Sequence, residues 1–405
     1  MRNLEKSMPV IRFKGFSEAW EQRKLGDIAN YRNGKAHEQV EDEDGKYTII
    51  NSKFISTNGK VQRYTNEQVE PIFDGEIAMV LSDLPNGKAL AKLFLVKEDG
   101  KYTLNQRIAG ITPNENIDPI FLNFRMNRNN YFLKFDSGVT QTNLSKSQVE
   151  NFIALYPTFD EQYKIGLFFT QLDDTIALHQ RKLDALKLMK KGFLQRMFPN
   201  NEEEIPKVRF ADFDGMWKQR KLNSITEKIT RKNKELESTL PLTISAQDGL
   251  IDQNEYFNKI IASRNIRGYF LVKNGEFAYN KSYSKGYPWG VVKRLDNYNM
   301  GVLSTLYIIF KPVKINSDFL TKYFDSTYWY RAVSQFATEG ARNHGLLNIA
   351  ASDFFEIELN IPLNNEEQKK IGLFFQQLEN IIILHQNKLE KLSILKKTYL
   401  KKMFI

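Results

Sequence analysis

The sequence of 405 residues contains no cysteine, which excludes disulfide bonds, thiolate nucleophiles and cysteine-based zinc sites. No run of apolar residues approaches the ~18 that a membrane-spanning helix needs. The N-terminal residues lack the apolar core of a secretion signal. Together these absences predict a soluble protein of a reducing compartment, the cytoplasm.

Motifs for catalysis are also missing. Gly87-Lys88 is followed by Ala89, so no phosphate-binding loop of the Gly-x-x-x-x-Gly-Lys-Ser/Thr type occurs. No two prolines are adjacent, which excludes the Asn/Asp-Pro-Pro-aromatic motif of adenine methyltransferases. We find no paired carboxylates with a lysine of the kind that a nuclease needs. The sequence therefore predicts a protein that is not an enzyme and holds no metal or cofactor of its own.

The composition is that of a folded protein with a basic surface. Hydrophobic residues make up 41% of the sequence and charged residues 26%, which is typical of globular chains. The formal net charge of +10 favours a polyanionic partner such as nucleic acid, because each neutralised phosphate releases a counterion. A basic surface without a specific partner is the alternative.

An internal repeat organises the chain. Residues 161–198 and 367–404 are identical at 22 of 38 positions without a gap, at an offset of 206. Residues 9–28 and 206–225 agree at ten of 20 positions, at an offset of 197. A slowly rising offset is what two copies of one fold with a few loop insertions produce. The chain is therefore a tandem duplication in which each copy has a variable domain and a nearly constant segment.

Each constant segment predicts one long helix, because apolar residues recur at alternating spacings of four and three. This seam consists of Leu172, Ile176, His179, Leu183 and Leu186 in the first copy, and of Leu378, Ile382, His385, Leu389 and Leu392 in the second. A helix of 38 residues extends ~57 Å and cannot bury its own apolar stripe, so we expect the two helices to pair as an intramolecular coiled coil. For the two histidines, packing or register-setting is favoured over metal binding or catalysis. Lys190 and Lys396 interrupt the seam and are expected at its edge or where it opens.

The segments outside the helices predict mixed α/β domains. Expected strands are Tyr47–Ile50, Glu76–Leu81, Gly268–Val272 and Gly301–Phe310, and expected helices are Pro119–Asn127 and Ser317–Ser334. The fold class is therefore α+β, with two mixed α/β domains separated by two long helices. The predicted division is residues 1–160 and 200–365 for the two domains, and 161–199 and 366–405 for the two helices.

The repeated motifs resemble a known family. They are P-x-x-R-F-x-x-F-x-x-x-W-x-Q-R-K-L at Pro9–Leu25 and Pro206–Leu222, and E-Q-x-K-I-G-x-F-F-x-Q-L from Glu161 and from Glu367. Over the whole chain this layout is similar to the specificity subunit of Type I restriction–modification systems. Gly138–Leu144 is similar to the glycine-threonine-glutamine-x-asparagine-leucine ending of that family's target-recognition domains. The equivalent residues 340–345 of the second domain lack the Thr-Gln pair, so a different loop chemistry is expected there.

The resemblance implies a function. Each variable domain would be a target-recognition domain that reads one half of a bipartite, asymmetric DNA site. The long helices would pack antiparallel in a pseudo-two-fold arrangement and set the spacing of the half-sites. Two modification subunits with S-adenosylmethionine would dock on the constant parts. Two restriction subunits, a translocase and nuclease needing ATP and Mg²⁺, would complete the assembly.

Candidate DNA contacts follow from base chemistry, in which Arg and Lys read guanine, Asn and Gln read adenine, and cations and hydroxyls contact phosphates. In the first domain these are Ser82, Lys88, Arg107, Thr140, Gln141 and Asn143. In the second they are Lys281, Ser282, Tyr283, Lys285, Tyr287, Arg342, Asn343 and His344. A solvated turn over an aromatic core is the alternative for residues 281–289. Arg125 and Arg128 are expected on a solvated helix face.

Two other classes of function compete with this interpretation. One is a coiled-coil adaptor whose two domains bind proteins, and the other is a fused methyltransferase or nuclease. The basic charge and the unlike variable domains disfavour the first, and the missing motifs disfavour the second. The repeat also predicts that the two ends of the chain lie close together, because residues 161–225 are continuous in one copy and split between the termini in the other.

Overall fold

The computed structural model describes residues 8–37, 39–200, 203–259, 265–282, 286–336, 347 and 349–404. The chain forms two compact units. Unit 1 is Met1–Gln180 with Asn387–Ile405, and unit 2 is Arg181–Gln386. Each unit therefore contains one variable domain and a part of both long helices.

The helices and strands follow in chain order. Those of unit 1 are β1 (Glu21–Lys24), α1 (Leu25–Ile28), β2 (Ala29–Asn33), β3 (Tyr47–Ile50), α2 (Ser52–Ser56), β4 (Tyr64–Thr65), β5 (Pro71–Ile72), β6 (Ile77–Val80), β7 (Ser82–Asp83), β8 (Leu93–Leu95), β9 (Tyr102–Leu104), β10 (Ile108–Pro113), α3 (Pro119–Met126), α4 (Asn130–Leu133), β11 (Thr142–Asn143), α5 (Lys146–Glu150) and β12 (Ile153–Tyr156). The long helices, parts of which belong to each unit, are α6 (Phe159–Arg196) and α12 (Asn365–Met403). Those of unit 2 are β13 (Lys218–Lys221), α7 (Leu222–Ile225), β14 (Thr226–Ile229), β15 (Leu242–Ser245), β16 (Gly249–Asp252), α8 (Gln253–Phe257), β17 (Phe270–Lys273), β18 (Phe277–Asn280), β19 (Val291–Arg294), β20 (Met300–Leu303), β21 (Ile308–Pro312), α9 (Ser317–Asp325), α10 (Trp329–Ser334), α11 (Ala351–Glu356) and β22 (Glu358–Ile361).

The two units share one topology. In unit 1 a four-stranded antiparallel sheet has the order β2-β10-β6-β8, and β1 pairs with β12. In unit 2 the order β14-β21-β18-β19 and the pair β13-β22 repeat this arrangement strand for strand. The α+β fold and the internal repeat predicted from the sequence are confirmed.

The units differ in the second layer of the variable domain. Unit 1 has a further sheet of order β4-β3-β9-β5, in which β3 and β9 are parallel. Unit 2 has instead the hairpin β15-β16 and the pair β17-β20. The divergence between the copies is therefore concentrated in this layer, whereas the framework that meets the long helices is retained.

At the start of each long helix, residues of the constant motifs form a cluster of hydrogen bonds, the joint, which explains why these motifs recur. In unit 1 the buried Glu161 carboxylate accepts hydrogen bonds from Arg12 Nε and Nη2, both at 2.7 Å, and from Trp20 Nε1 at 3.3 Å. In unit 2 Glu367 accepts the equivalent bonds from Arg209 at 2.7 and 2.8 Å and from Trp217 at 3.2 Å. Each bidentate pair ties the segment before a variable domain to the helix that follows it.

The residue after each glutamate completes the joint. Gln162 accepts a hydrogen bond from the backbone N–H of Asp118 at 3.1 Å, and its amide donates to the Pro157 carbonyl at 2.9 Å. Gln368 makes the equivalent bonds to Asn316 and Pro362 at 2.7 and 2.8 Å. Each glutamine thus connects the long helix to the residue that caps α3 or α9 and to the proline that precedes the helix.

A glycine lets these helices approach closely. A Cβ atom on Gly166 would lie 2.9 Å from Asp118 Oδ1, and one on Gly372 would lie 2.7 Å from the Asp318 Cβ atom. Both distances are shorter than real Cβ contacts allow, so the glycine of the constant motif is required for packing against α3 and α9.

Within each unit the two long helices run antiparallel. In unit 1 the rings of Phe168 and Tyr399 lie 5.2 Å apart, and Lys396 Nζ lies 2.8 Å from Asp173 Oδ2. In unit 2 the equivalent contacts are between the rings of Phe193 and Phe374 at 4.9 Å, and between Lys190 and Glu379 at 2.6 Å. The two seam lysines therefore form ion pairs with the neighbouring helix, and neither marks an opening of the seam.

The predicted seam lies on the protected side of the helices. Buried seam residues are Leu172, His179, Leu183, Leu378, Ile382 and Leu389, and half-buried ones are Ile176, Leu186, His385 and Leu392. The coiled-coil periodicity was therefore a good predictor of burial.

Two predicted elements are interrupted. The helix expected over Ser317–Ser334 is broken after Asp325, where Ser326 takes an extended conformation and its hydroxyl donates to the Tyr323 carbonyl. The strand expected over Gly301–Phe310 is two strands, because a turn at Ser304 bonds its carbonyl to the N–H of Tyr307 at 3.2 Å. In both cases a serine redirects the backbone inside an apolar run that otherwise suggests one element.

Within unit 1, the described residues nearest to the two ends of the chain meet, as the repeat predicts. The backbone N–H of Ile11 donates to the carbonyl of Lys402 at 3.1 Å. In unit 2 the repeat-equivalent bond joins Val208 to Arg196 at 2.9 Å. The end of α12 therefore meets the N-terminal segment as the end of α6 meets the segment that follows it.

Candidate nucleic-acid interface

Two loops of unit 1 carry three of the six predicted DNA contacts of that unit, Lys88, Thr140 and Gln141. The first, loop 84–90, connects β7 towards β8 and is held by the Asp83 carboxylate. This group accepts backbone N–H bonds from Leu84 at 2.9 Å, Ala89 at 2.6 Å and Leu90 at 3.0 Å. Three bonds to one carboxylate fix the loop in a single compact conformation.

The second loop, 136–141, is joined to the first. The Asn86 amide donates to the Gly138 carbonyl at 3.3 Å, and Asn86 itself has φ +55°, the left-handed conformation that asparagine tolerates. Behind the loops, β7 pairs with β11, so that Ser82 lies opposite Asn143. The two loops therefore present one continuous surface.

The predicted residues of unit 1 converge on this surface. Exposed side chains are those of Lys88, Arg107, Thr140, Gln141 and Asn143. Arg107 lies beside this surface, because its carbonyl accepts a hydrogen bond from the N–H of Leu81, next to Ser82, at 3.0 Å. Ser82 is buried, and its hydroxyl accepts a bond from Gln141 Nε2 at 2.7 Å. We therefore assign Ser82 to orienting Gln141.

The expectation for two arginines was wrong. Arg125 is buried, and its guanidinium lies over the Phe404 ring at 5.6 Å from the ring centroid. Burial lowers the pKa of Arg125. Arg128 is half-buried, and its Nη1 donates to the Leu90 carbonyl at 3.4 Å. Arg125 lies on a buried face of α3, and Arg128 follows the end of that helix, so neither arginine lies on a solvated helix face.

Sequence reasoning missed the residues that support the loops. Neither Asp83 nor Asn86 is among the predicted site residues, and Arg128 is predicted on a solvated helix face, although Asp83-Leu-Pro-Asn-Gly87 is a typical turn composition. That signal predicts a turn but does not indicate which backbone groups its aspartate will bond.

In unit 2 the described part of the corresponding loop is anchored at both ends. The carbonyl of Lys281 accepts the N–H of Leu347 at 2.9 Å, and Lys281 Nζ donates to the Ile349 carbonyl at 3.1 Å. The Ser282 N–H donates to the Asn280 side chain at 3.0 Å. Gly290 has φ +80°, and a Cβ there would lie 2.1 Å from the Asn280 carbonyl oxygen. The ammonium of Lys281 is thus engaged inside the unit, whereas Ser282 and Tyr287 are half-buried at the surface.

Five predicted contacts of unit 2 lie outside the described residues: Tyr283, Lys285, Arg342, Asn343 and His344. Tyr287 lines a cleft of about 580 Å³ together with Lys293, Arg294 and Trp329. The lining of this cleft thus combines aromatic and basic side chains with acidic ones such as Asp296 and Glu379, unlike the amide-rich loops of unit 1.

A chain of buried ion pairs accounts for several cations near that cleft. Lys322 Nζ lies 2.7 Å from the Glu379 carboxylate, which also pairs with Lys190, and Lys293 Nζ lies 2.7 Å from Asp325. Burial alone would raise the pKa of Asp325, but the charges of Lys293 and Lys322 outweigh it and hold that pKa below its usual value. These lysines are neutralised within unit 2, so they are poor candidates for phosphate contacts.

The long helices expose apolar residues at repeat-equivalent positions. In unit 1 these are Leu167, Leu178, Ile394 and Leu395, and in unit 2 they are Leu373, Leu384, Leu188 and Met189. Each unit therefore has exposed apolar residues at the same repeat positions. The positions that α6 supplies in unit 1 are supplied by α12 in unit 2, and the reverse holds for the others. Single exposed apolar residues are ordinary, but a set that recurs in both copies is a candidate interaction surface.

No metal centre or membrane span is found in the parts of the chain that the structure describes. No three His, Asp or Glu side chains among these residues are grouped so that they could hold a metal ion. Within the same residues, no helix has the length and apolar character needed to cross a membrane.

Comparison with known proteins identifies the class. Residues 17–188 match the model of the Type I restriction modification DNA specificity domain. The Type I restriction enzyme MjaVIII specificity subunit of Methanocaldococcus jannaschii is 23% identical over 94% of this chain and 91% of its own length. The putative MjaX specificity subunit of the same organism is 24% identical over 45% of this chain and 46% of its own.

Solved structures share the fold. The S subunit of a Type I restriction–modification system from M. genitalium matches with a TM-score of 0.60 and 14% identity, over 98% of this chain and 99% of that one. A chain from a study of complex assembly and conformational transition of the type I R-M system matches with a TM-score of 0.50 and 15% identity, over 95% and 97%.

The fold, the duplicated framework and the matched domain are those of DNA specificity proteins. More particularly, residues 17–188 match the Type I DNA specificity domain, and nearly the whole chain is similar to specificity subunits of Type I restriction–modification systems.

Proposed function

We propose that this chain is the DNA-reading subunit of its restriction–modification complex, and that each unit reads one half of an asymmetric bipartite site. The observation that carries the proposal is the surface of loops 84–90 and 136–141, where exposed lysine, arginine, threonine and amide side chains converge. This is the set of side chains that contacts phosphates and base edges. The corresponding loop of unit 2 has a different composition, so the two half-sites differ in sequence.

Gln141 is the strongest candidate for direct base reading. One amide hydrogen of Gln141 is held by Ser82 at 2.7 Å, which leaves the second amide hydrogen and the carbonyl oxygen for a bidentate contact. Adenine offers the matching N7 acceptor and N6 donor in the major groove. Gln141 therefore reads adenine, and Ser82 orients it. Lys88 and Arg107, which are exposed on the same surface, contact guanine edges or phosphates.

The repeated apolar set on the helices supports the docking of two identical partners. Equivalent exposed positions, such as Leu178 and Leu384, provide two repeat-related surfaces, and each can bind one copy of the same subunit. These partners are two modification subunits, which carry S-adenosylmethionine and the methyltransferase site. Two restriction subunits with ATP and Mg²⁺ complete the complex.

The chain itself performs no catalysis in this proposal. Neither of the alternatives, a protein-binding adaptor and a fused methyltransferase or nuclease, accounts for a loop pair built from base-reading side chains. The missing sequence motifs and the similarity to specificity subunits both support a reading role. DNA methylation and cleavage then belong to the partner subunits.

The proposal predicts that this chain determines which sites are methylated. In cells that carry the partner subunits, we expect one asymmetric bipartite motif to be methylated when the chain is present and to be unmethylated when its gene is deleted. Genome-wide mapping of methylated bases measures this directly. Restoring the chain should restore the same motif, and a motif that persists without the chain contradicts the proposal.

We further propose that helix length sets the spacing of the two half-sites. α6 and α12 each contribute residues to both units, so a change in their length is transmitted to both readers. Inserting four residues adds ~6 Å of helix, close to one helical turn. That distance approaches two steps of ~3.4 Å along DNA.

A paired insertion in α6 and α12 therefore should lengthen the preferred spacer by one or two base pairs while both half-sites stay the same. The insertion points are after Leu178 in α6 and after Leu384 in α12, which are repeat-equivalent. Methylation mapping gives the spacer length, and a single insertion in α6 is the control for a mismatched pair. An active paired variant with an unchanged spacer would show that the spacing is set elsewhere in the complex.

A further inference from the structure

Two large apolar side chains, the apolar tips Leu84 and Val139, are exposed on the joined loops of unit 1. Leu84 is 68% exposed and Val139 is 79% exposed. Leu84 begins loop 84–90, and Val139 is two residues before Gln141 in loop 136–141. Exposure at this level means that neither side chain contributes to the core of unit 1.

The loops hold these side chains in place. Asp83 accepts three backbone N–H bonds of the first loop, one of them from Leu84 itself at 2.9 Å. Asn86 connects the first loop to Gly138, the residue before Val139. Arg128 donates a hydrogen bond to the carbonyl of Leu90, at the end of the first loop. The apolar tips are therefore presented to solvent by a fixed backbone.

The surroundings of the tips are polar and basic. Exposed neighbours in the two loops and the strand that follows are Lys88, Thr140, Gln141 and Asn143. A surface for another protein is typically a contiguous apolar patch, whereas single apolar groups set among amides and cations match the major groove of DNA. The 5-methyl group of thymine is the apolar group that a base edge displays there.

We propose that Leu84 and Val139 contact thymine 5-methyl groups in the half-site that unit 1 reads. This inference rests on the proposed function and adds a specificity-determining pair to it. Gln141 reads adenine by hydrogen bonding, and the apolar tips distinguish thymine from cytosine by contact with the methyl group. Unit 1 therefore prefers a half-site with A·T pairs.

The test removes the methyl groups one at a time from the DNA. The probe is a duplex with the methylated site of this chain, in which each thymine is replaced by deoxyuridine in turn, and the protein is the complex with its modification subunits. At one or more thymines of the first half-site we expect about fourfold weaker binding, the effect of one lost buried methyl group. In Val139→Ala or Leu84→Ala, the same replacement should have little further effect, because the contact is already gone.

Two controls separate this result from other effects. Deoxyuridine in the second half-site should give the same change in the wild type and in both variants. Gln141→Ala should weaken binding while the fourfold effect of deoxyuridine remains. Both tips are exposed, so the alanine variants should fold, and assembly with the modification subunits is checked by co-purification.

Several outcomes would overturn the inference. They are a first half-site without thymine, an effect of deoxyuridine that is equal in the wild type and both variants, and no effect in the wild type at all. Variants that lose assembly would show that the tips contact a protein subunit. Variants that weaken binding to every sequence equally would indicate that the two side chains insert between base pairs and do not contact methyl groups. In each of these cases the wild-type complex still binds its site specifically, whereas a wild-type complex without any preference for the methylated site would mean that the proposed function itself has failed.

Discussion

Replacing residues 29–160 with the corresponding segment of a relative is expected to change the first half of the methylated site completely and to leave the second half unchanged. Recognition of the original half-site should fall by about 10³-fold or more, the usual difference between specific and non-specific DNA binding. The physical reason is that the exchanged segment contains both reading loops, whereas the joint residues Arg12, Trp20 and Glu161 stay in place. Methylation mapping in cells measures both half-sites in one experiment.

The exchange has a matched control in the other unit. Residues 226–366 are the repeat-equivalent segment, and they end just before Glu367. Their replacement should change the second half-site alone. A change in both half-sites after either exchange would show that the units do not read DNA independently. The donor segment must carry a capping residue equivalent to Asp118, because α3 packs on Gly166 and Gln162.

Helix periodicity and repeats made most of the framework predictable. The strand Tyr47–Ile50 was predicted with its observed bounds, and the helix expected over Pro119–Asn127 ends one residue earlier, at Met126. The long helices begin two residues before the repeated segments, at Phe159 and Asn365. Such elements are predictable because their signals are local: apolar periodicity, a proline at the first turn and a capping Asp or Asn.

The candidate interface was predictable only in its residue types. Lys88, Gln141 and Asn143 were chosen because their side chains suit base edges, and the fold brings them to one surface. The burial of Ser82 and Arg125 was not predicted, because it depends on contacts between segments that are far apart in sequence. Gln141 lies 59 residues from Ser82, and no local pattern indicates that bond.

The joint at the helix start provides the second large effect. Three donors converge on Glu161: Arg12 Nε, Arg12 Nη2 and Trp20 Nε1. The substitution Glu161→Gln keeps the shape but leaves one acceptor oxygen, and it places an amide N–H against those donors. It also leaves the partly buried guanidinium of Arg12 without its counter-charge. Breaking one side of a buried ion pair costs about 3–5 kcal/mol.

We therefore expect Glu161→Gln to lower the melting temperature of unit 1 by roughly 6–20 °C, from ~2–4 °C per kcal/mol for a domain of this size. The repeat supplies a matched variant, because Glu367→Gln removes the equivalent carboxylate from unit 2 and should destabilise that unit instead. Differential scanning calorimetry gives the transitions, and hydrogen exchange assigns each one to a unit.

The neighbouring carboxylates separate the joint from a general effect of charge. Asp160→Asn and Glu366→Gln remove one charge from the same helix starts, but both side chains are exposed, and such changes rarely exceed ~0.5 kcal/mol. The joint also connects each variable domain to its long helix. Glu161→Gln should therefore weaken recognition of the first half-site more than recognition of the second. If the melting temperature of unit 1 is the same in Glu161→Gln and in Asp160→Asn, the three hydrogen bonds to Glu161 do not stabilise unit 1. The constant Arg-Trp-Glu set must then be explained by contacts with the partner subunits.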